Sequence, residues 1–385
     1  MKLTRADWTR LVLLWLGGVD MRLTLLAVPP LIPLIHRELN LDEKAVGALV
    51  SLPVILFAVA AIPGSLLIAK LGIRRAIAVG VGAIAIFGAL RGIGPSTPVL
   101  FTATLFMGIG VAVSQPAFPS LVREWFPTRI TIATAVFSNG FLCGETIPTV
   151  FTTPFGVLPA VGGDWRWAIA SWSVVVAASG IAFVAAAPRR RAAPATPARW
   201  WPSWREGQVV RIGVVMGMAS AVYFGTNAYI PDYLDQTGRH NLIAPTLAAL
   251  NGSQLLTAPV VALWDRLMTG RVGFLGSAGL MALAQVGMIV TPGAGVVVWA
   301  FVLGFAAALG FIVVLSLPPR MAPPGDVPRM SAAVFTTQYS LGFVFPLIAG
   351  AIWDATGVAA LAFVPGVLGA LVMGYVAMQL RIPST

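Results

Sequence analysis

Charge is what this sequence has least of. Only 10% of its 385 residues are Asp, Glu, Lys or Arg, where soluble domains carry about 25%. With 58% of the residues hydrophobic, no soluble fold of this length can hide the apolar surface. Cysteine is nearly absent too. The single Cys143 excludes a disulfide framework and any cysteine-built metal site. The two histidines, His36 and His240, stand at the ends of apolar segments. No HExxH, GxSxG or Gly-Lys-Ser/Thr pattern occurs, which argues against an intramembrane enzyme and against a chain that hydrolyses nucleotides. A cleavable leader is not expected, because the first apolar run, Leu11 to Ile35, is too long and lacks a small-residue cleavage site. The net charge of +11 would point to nucleic acid if it were gathered on one domain. Instead the basic residues recur in short runs between apolar segments, as membrane topology places them.

What the sequence does have is long apolar runs. A helix that crosses a bilayer takes about 20 mostly apolar residues. Twelve such windows fall near residues 11–35, 45–69, 76–93, 97–121, 130–157, 165–187, 209–234, 242–265, 272–291, 295–317, 330–353 and 359–380. The connections are short except for Pro188 to Gln208, which carries Arg189, Arg190, Arg191, Arg199 and Arg205 together with Trp200, Trp201 and Trp204. That mixture suits the headgroup layer. The expected fold is therefore an all-α membrane protein with twelve transmembrane helices in two pseudo-symmetric six-helix bundles. Residues 1–187 form the first bundle, 188–208 a cytoplasmic linker and 209–385 the second bundle.

Orientation follows from Lys and Arg. With the N-terminus inside, nineteen of the 25 basic residues face the cytoplasm, among them Lys70, Arg74, Arg75, Arg123, Arg129 and the whole linker set. Five face outward (Arg37, Lys44, Arg91, Arg166 and Arg239), and Arg22 is left in mid-membrane. The asymmetry places both termini inside. Arg91, at the end of span 3, is expected to snorkel outward.

The halves also echo one another. Ala135-Val136-Phe137 recurs as Ala333-Val334-Phe335, and at the same offset Gly144 maps to Gly342, Pro148 to Pro346 and Pro33 to Pro231. Parallel six-span repeats characterise rocking transporters with a site near the midplane, between the repeats.

Several motifs add a family. The loop Ser65-Leu66-Leu67-Ile68-Ala69-Lys70-Leu71-Gly72-Ile73-Arg74-Arg75 resembles the inner-loop signature of the major facilitator superfamily, with Ala69 in place of its acidic residue and Ser65 in place of its leading glycine. Asp265-Arg266 stands at a comparable place in the second half. Asp20-Met21-Arg22-Leu23 with Pro29, Pro30 and Pro33, and Gly108-Ile109-Gly110 leading to Pro119-Ser120-Leu121-Val122-Arg123, are similar to the cyanate and nitroimidazole transporter-like branch. So is Gly350-Ala351-Ile352-Trp353-Asp354-Ala355-Thr356-Gly357. The resemblance covers the whole chain and implies a secondary transporter working by rocker-switch alternating access. It puts Gln115 at the polar amide that precedes the span 4 proline, and it packs spans 1 and 5 side by side.

Arg22 is the first candidate ligand. An arginine in mid-span costs at least about 2.5–3.5 kcal/mol to insert, and its fork of donors suits a carboxylate or similar planar anion. The alternative is an arginine permanently neutralised by Asp20 or Glu145. Glu145, midway along span 5, can reach Arg22 in the implied fold. Burial and a cation act on its carboxyl in opposite directions, so it is either a proton-exchanging group or a fixed counter-ion. Asp20 is two residues from Arg22 and points elsewhere, toward span 2 or a cytoplasmic cavity. Asn139, Tyr223, Asn227, Asn251, Gln254, Gln338 and Tyr339 are candidate cavity lining, each also explicable as interhelical hydrogen bonding. Gln285 and Cys143 read as packing residues. The expected partners are a small solute, the lipid bilayer of a bacterial inner membrane and protons. No cofactor, metal or nucleic acid is expected, and the chain is expected to act as a monomer. A proton-driven exporter of organic cations or drugs, with Glu145 and Asp20 facing the substrate and Arg22 regulating them, is the competing transport reading. A non-transporting receptor on the same scaffold is the competing class.

Overall fold

The computed structural model describes residues 4–41, 43–94, 96–152, 157–188, 201–264, 270–323 and 325–381. The linker stretch 189–200, Asp265-Arg266 and the side chains of Pro33, His36 and Lys44 lie outside the described residues.

Among these residues every regular element is helical. In chain order they are α1 (Arg5–Asp20), α2 (Leu23–Leu26), α3 (Ile32–Leu39), α4 (Glu43–Leu71), α5 (Ile73–Ile93), α6 (Thr97–Ser114), α7 (Ala117–Trp125), α8 (Ile130–Phe151) and α9 (Val157–Ala160). There follow α10 (Trp165–Ala186), α11 (Gly207–Gln236), α12 (Ile243–Ser253), α13 (Thr257–Leu263), α14 (Arg271–Val290), α15 (Gly295–Leu315), α16 (Leu317–Met321), α17 (Val327–Thr356) and α18 (Val364–Met378). Local chemistry sets several of the ends. Thr4 and Asp7 form a reciprocal capping box that starts α1. The Asp164 carboxylate accepts from the Arg166 amide and starts α10. Gly72, at φ 79°, turns the chain between α4 and α5 inside the loop motif.

Among the described residues eleven helices are long and apolar enough to cross a membrane, one fewer than the twelve expected. The expected second span falls on α4, of which Ile55–Leu71 counts as a shorter apolar helix. Side-chain placement agrees with a lipid solvent. Along α10, Trp165, Ala168, Ile169, Trp172, Ser173, Val176, Ser179 and Phe183 are buried, while Val174 is 68% and Ile181 71% exposed. One helical stripe thus faces protein, and the apolar opposite stripe has no polar character to offer water. The chain is an integral membrane protein.

The residues form two compact units. One comprises Met1–Thr128, Val136–Pro202 and Ala322–Ala332, the other Arg129–Ala135, Ser203–Met321 and Ala333–Thr385. In the first, α5 packs on α6 and α10, and α4 on α6; in the second, α14 packs on α15 and α18, and α11 on α18. The sequence repeat has a structural counterpart inside each unit. A Cβ on Gly144 of α8 would lie 2.9 Å from the Cα of Val19 on α1, and one on Gly342 of α17 would lie 3.2 Å from the Phe224 ring on α11.

Candidate functional site

The first span is not one helix. Its hydrogen bonding tightens at Met21 and Arg22, whose amides reach back three residues to Gly18 and Val19 at 3.2 and 3.0 Å. A second interruption follows α2, where Pro29 and Pro30 supply no N–H. Arg22 sits between α1 and α2, in the first break.

Its side chain is 6% exposed, and its Nε lies 3.2 Å from the Glu145 Oε1 of α8. The guanidinium carbon is 4.2 Å from the centre of the Phe141 ring and 4.9 Å from that of Phe57. Glycine makes this possible. On α8 a Cβ at Gly140 would collide with the Trp15 carbonyl, as one at Gly144 would with Val19, so the backbones of α1 and α8 touch and the short Glu145 side chain reaches the arginine. The rings contribute energetically beside the carboxylate. A desolvated cation–π contact is worth about 2 kcal/mol, so two of them are comparable to the insertion cost of about 2.5–3.5 kcal/mol. The two rings therefore offset part of the insertion cost alongside the ion pair.

Asp20 is 2% exposed and takes no part in this cluster. It accepts from the Ser179 hydroxyl of α10, and its Oδ1 has no hydrogen-bond partner among the described residues. The expectation that it faces span 2 or a cytoplasmic cavity is therefore corrected: two residues from Arg22 along the helix, it points at span 6. Asn139 accepts from Trp15 Nε1 at 3.0 Å and ties α8 to α1. Gln115 is buried at the junction of α6 and α7.

In the second unit, three of the expected polar residues meet. The Tyr223 hydroxyl donates to Asn251 Oδ1 at 2.5 Å, and Asn227 Nδ2 donates to the same oxygen at 3.1 Å. Asn251 closes the set by donating to the Leu247 carbonyl at 2.9 Å. Gln338 is not part of it; its amide donates to Ser220 at 2.9 Å. Tyr339 is buried against Phe335, and Gln254 lies buried in the short turn that interrupts span 8. Gln285, expected as packing, donates to Thr226 across α14 and α11.

Two features escaped the sequence. Phe141 precedes Glu145 by one helical turn and so shares its face, a spacing that was there to be read; Phe57 gives no such signal within an apolar helix. The second is Arg91. It does not snorkel: the residue is 1% exposed, and its Nη1 donates to the Thr24 carbonyl at 3.0 Å. The broken span 1 leaves carbonyls in need of donors, and that need draws the guanidinium inward. Outside the membrane, Glu38 accepts from Trp165 Nε1 at 2.6 Å and pairs with Arg166. The Arg166 and Trp165 hydrogen bonds hold its carboxyl below the usual glutamate range.

The family model described as Major Facilitator Superfamily matches residues 14–346. The cyanate transport protein CynX of Escherichia coli (strain K12) is 24% identical over 330 residues, covering 81% of this chain and 82% of that protein. The 2-nitroimidazole transporter of the same organism is 22% identical over 348 residues, covering 88% and 87%. Among solved structures, the transporter FucP in its outward conformation superposes with a TM-score of 0.76 at 12% identity, covering 96% of this chain and 98% of FucP.

Proposed function

This chain belongs to the Major Facilitator Superfamily and is a secondary transporter of a small solute, and from that premise we propose that the solute is a small planar anion moved together with a proton. The observation that carries the reading is the Arg22–Glu145 pair, 3.2 Å apart and walled by Phe57 and Phe141. An anion arriving at Arg22 competes with the Glu145 carboxylate for the guanidinium. The carboxylate, deprived of its cation in a low-dielectric site, then takes a proton. Anion and proton bind cooperatively, and linkage makes each strengthen the other. The rings support the exchange by holding the cation while its partner changes.

In this reading Asp20 is a second carboxyl able to carry a proton. Gln115 and Asn139 are the further polar candidates of the first unit; Tyr223, Asn227, Asn251, Gln254, Gln338 and Tyr339 are those of the second. The helix α4 supplies the second span and brings the total to twelve, the bundles divide at 188–208, and both termini face the cytoplasm of a bacterial cell. The chain acts as a monomer within the cyanate and nitroimidazole transporter-like branch. That the two relatives are a cyanate transport protein and a 2-nitroimidazole transporter supports a small, flat solute.

The test is uptake into proteoliposomes of cyanate, nitrate and benzoate against tetraphenylphosphonium, each relative to protein-free vesicles. Uptake of a monoanion that is lost in a folded Arg22→Gln protein supports the reading. Uptake of the organic cation alone returns the choice to a cation exporter. An Arg22→Lys protein keeps the charge without the fork and is expected to retain only a small part of the activity.

A further inference from the structure

Arg91 is a fully buried cation with no carboxylate partner among the described residues. Its Nη1 reaches the Thr24 carbonyl at 3.0 Å and the Met107 sulfur at 3.3 Å, and its Nε has no hydrogen-bond partner among the described residues. A charge in this setting is costly, so what it touches bears on why it is there.

Thr24 lies in α2, the single helical turn between the two breaks of span 1. In an unbroken helix the Thr24 carbonyl would accept from the amide of residue 28. Here the Val28 amide goes instead to the Leu25 carbonyl, at 3.5 Å. Beyond it Pro29 and Pro30 have no N–H to give. The Thr24 carbonyl is thereby left for a side chain, and Arg91 supplies the donor from the last turn of α5. Met107 of α6 seats the same residue from another side, accepting from the Thr24 hydroxyl at 3.4 Å. The gap behind is closed as well: a Cβ on Gly88 would lie 3.2 Å from the Thr24 methyl and 2.7 Å from the Ser173 hydroxyl. Finally, α2 is tied directly to Arg22, whose carbonyl accepts from the Leu26 amide at 2.9 Å.

We propose that Arg91 is a positioning residue for Arg22: by holding the Thr24 carbonyl it fixes the short helix α2, and with it the place from which the Arg22 guanidinium meets Glu145. The inference rests on the reading of Arg22 as the anion ligand, but its test does not use the solute. Cys143, the chain's one cysteine, is half-buried on α8 with its sulfur 3.7 Å from the Asn139 Oδ1 that Trp15 of α1 also engages. Its rate of labelling by a maleimide in the purified full-length protein reports how firmly span 1 lies on α8.

Replacing Arg91→Met should raise that rate about tenfold, the factor expected for loss of one hydrogen bond to a charged group. Arg91→Lys, which keeps a charged donor, should return part of the way. Gly88→Ala, which pushes on Thr24 without altering charge, should also raise the rate. Gln285→Leu breaks the bond to Thr226 in the other unit and should leave labelling as in the wild type. A wild-type rate in Arg91→Met overturns the proposal, as does a rise that Gln285→Leu matches at an equal loss of Tm. If Arg91→Met does not fold, wild-type rates in both Arg91→Lys and Gly88→Ala overturn it. Failure of the anion reading would appear separately, as unaltered anion uptake by Arg22→Gln.

Discussion

The guanidinium of Arg22 lies 4.2 Å from the centre of the Phe141 ring, one helical turn before the carboxyl group that Arg22 pairs with. A single face of α8 therefore offers the cation both a charge and an aromatic surface. In the proposed anion–proton cycle the carboxylate is exchanged for an anion while the ring stays in place, so the two would contribute to different stages. Replacing Phe141→Leu keeps much of the apolar volume and removes the ring. The expected result is a loss of about 1–2 kcal/mol in hold on the cation, read as a roughly tenfold rise in KM for the transported anion. An unchanged KM would leave Phe141 as packing only.

The contact between α1 and α8 depends on glycine, and the sign of a substitution should depend on which glycine is changed. At Gly144 an added methyl meets Val19 backbone at 2.9 Å or closer; Gly144→Ala should part the two helices, cost several kcal/mol by overpacking (about 1–3, more where backbone must move) and abolish transport. At Gly252 of α12 an added methyl meets nothing within 4 Å. Gly252→Ala should be neutral or stabilising by up to about 1 kcal/mol. Thermal unfolding of the two purified proteins, run in parallel, checks the contrast.

Beyond the membrane-crossing part of span 1, Glu38 links α3 to the start of α10 through Trp165 and Arg166. Its folded pKa is lowered from 4.5, so the stabilisation is complete above that value and is lost as the pH falls through the folded one. Between about pH 5 and pH 3 the wild type should lose Tm faster than Glu38→Gln, which has no proton to gain there. Equal slopes for the two proteins would show that the linkage contributes nothing measurable.

Much of this was legible beforehand, for reasons that also mark where legibility stopped. Arg22 and Glu145 stood out because a charged side chain is rare in an apolar run, and the meeting of the two followed from placing spans 1 and 5 together. The spacing of Tyr223 and Asn227 told that they share a face, but not that Asn251 of another span completes the set. Phe57 could not be singled out in a helix where apolar side chains are the rule. Arg91 was misplaced because nearness to a span end says that a side chain can reach water. It says nothing of a carbonyl left free in a different helix, where the Val28 amide turns to Leu25. Asp20 was rightly separated from Arg22 by its offset along the helix, yet its partner Ser179 lies 159 residues away, a distance across which periodicity carries no information.

The most direct test of the coupled anion–proton account is Glu145→Gln in proteoliposomes with an imposed pH gradient, following the best-transported anion of the panel against protein-free vesicles. The amide resembles the protonated carboxyl and cannot take up or release a proton. The account predicts that Glu145→Gln still exchanges labelled anion for unlabelled anion across the membrane, independently of pH, but no longer accumulates it against its gradient. Accumulation at the wild-type level by the Glu145→Gln protein would contradict the account and leave Glu145 as a structural counter-ion of Arg22.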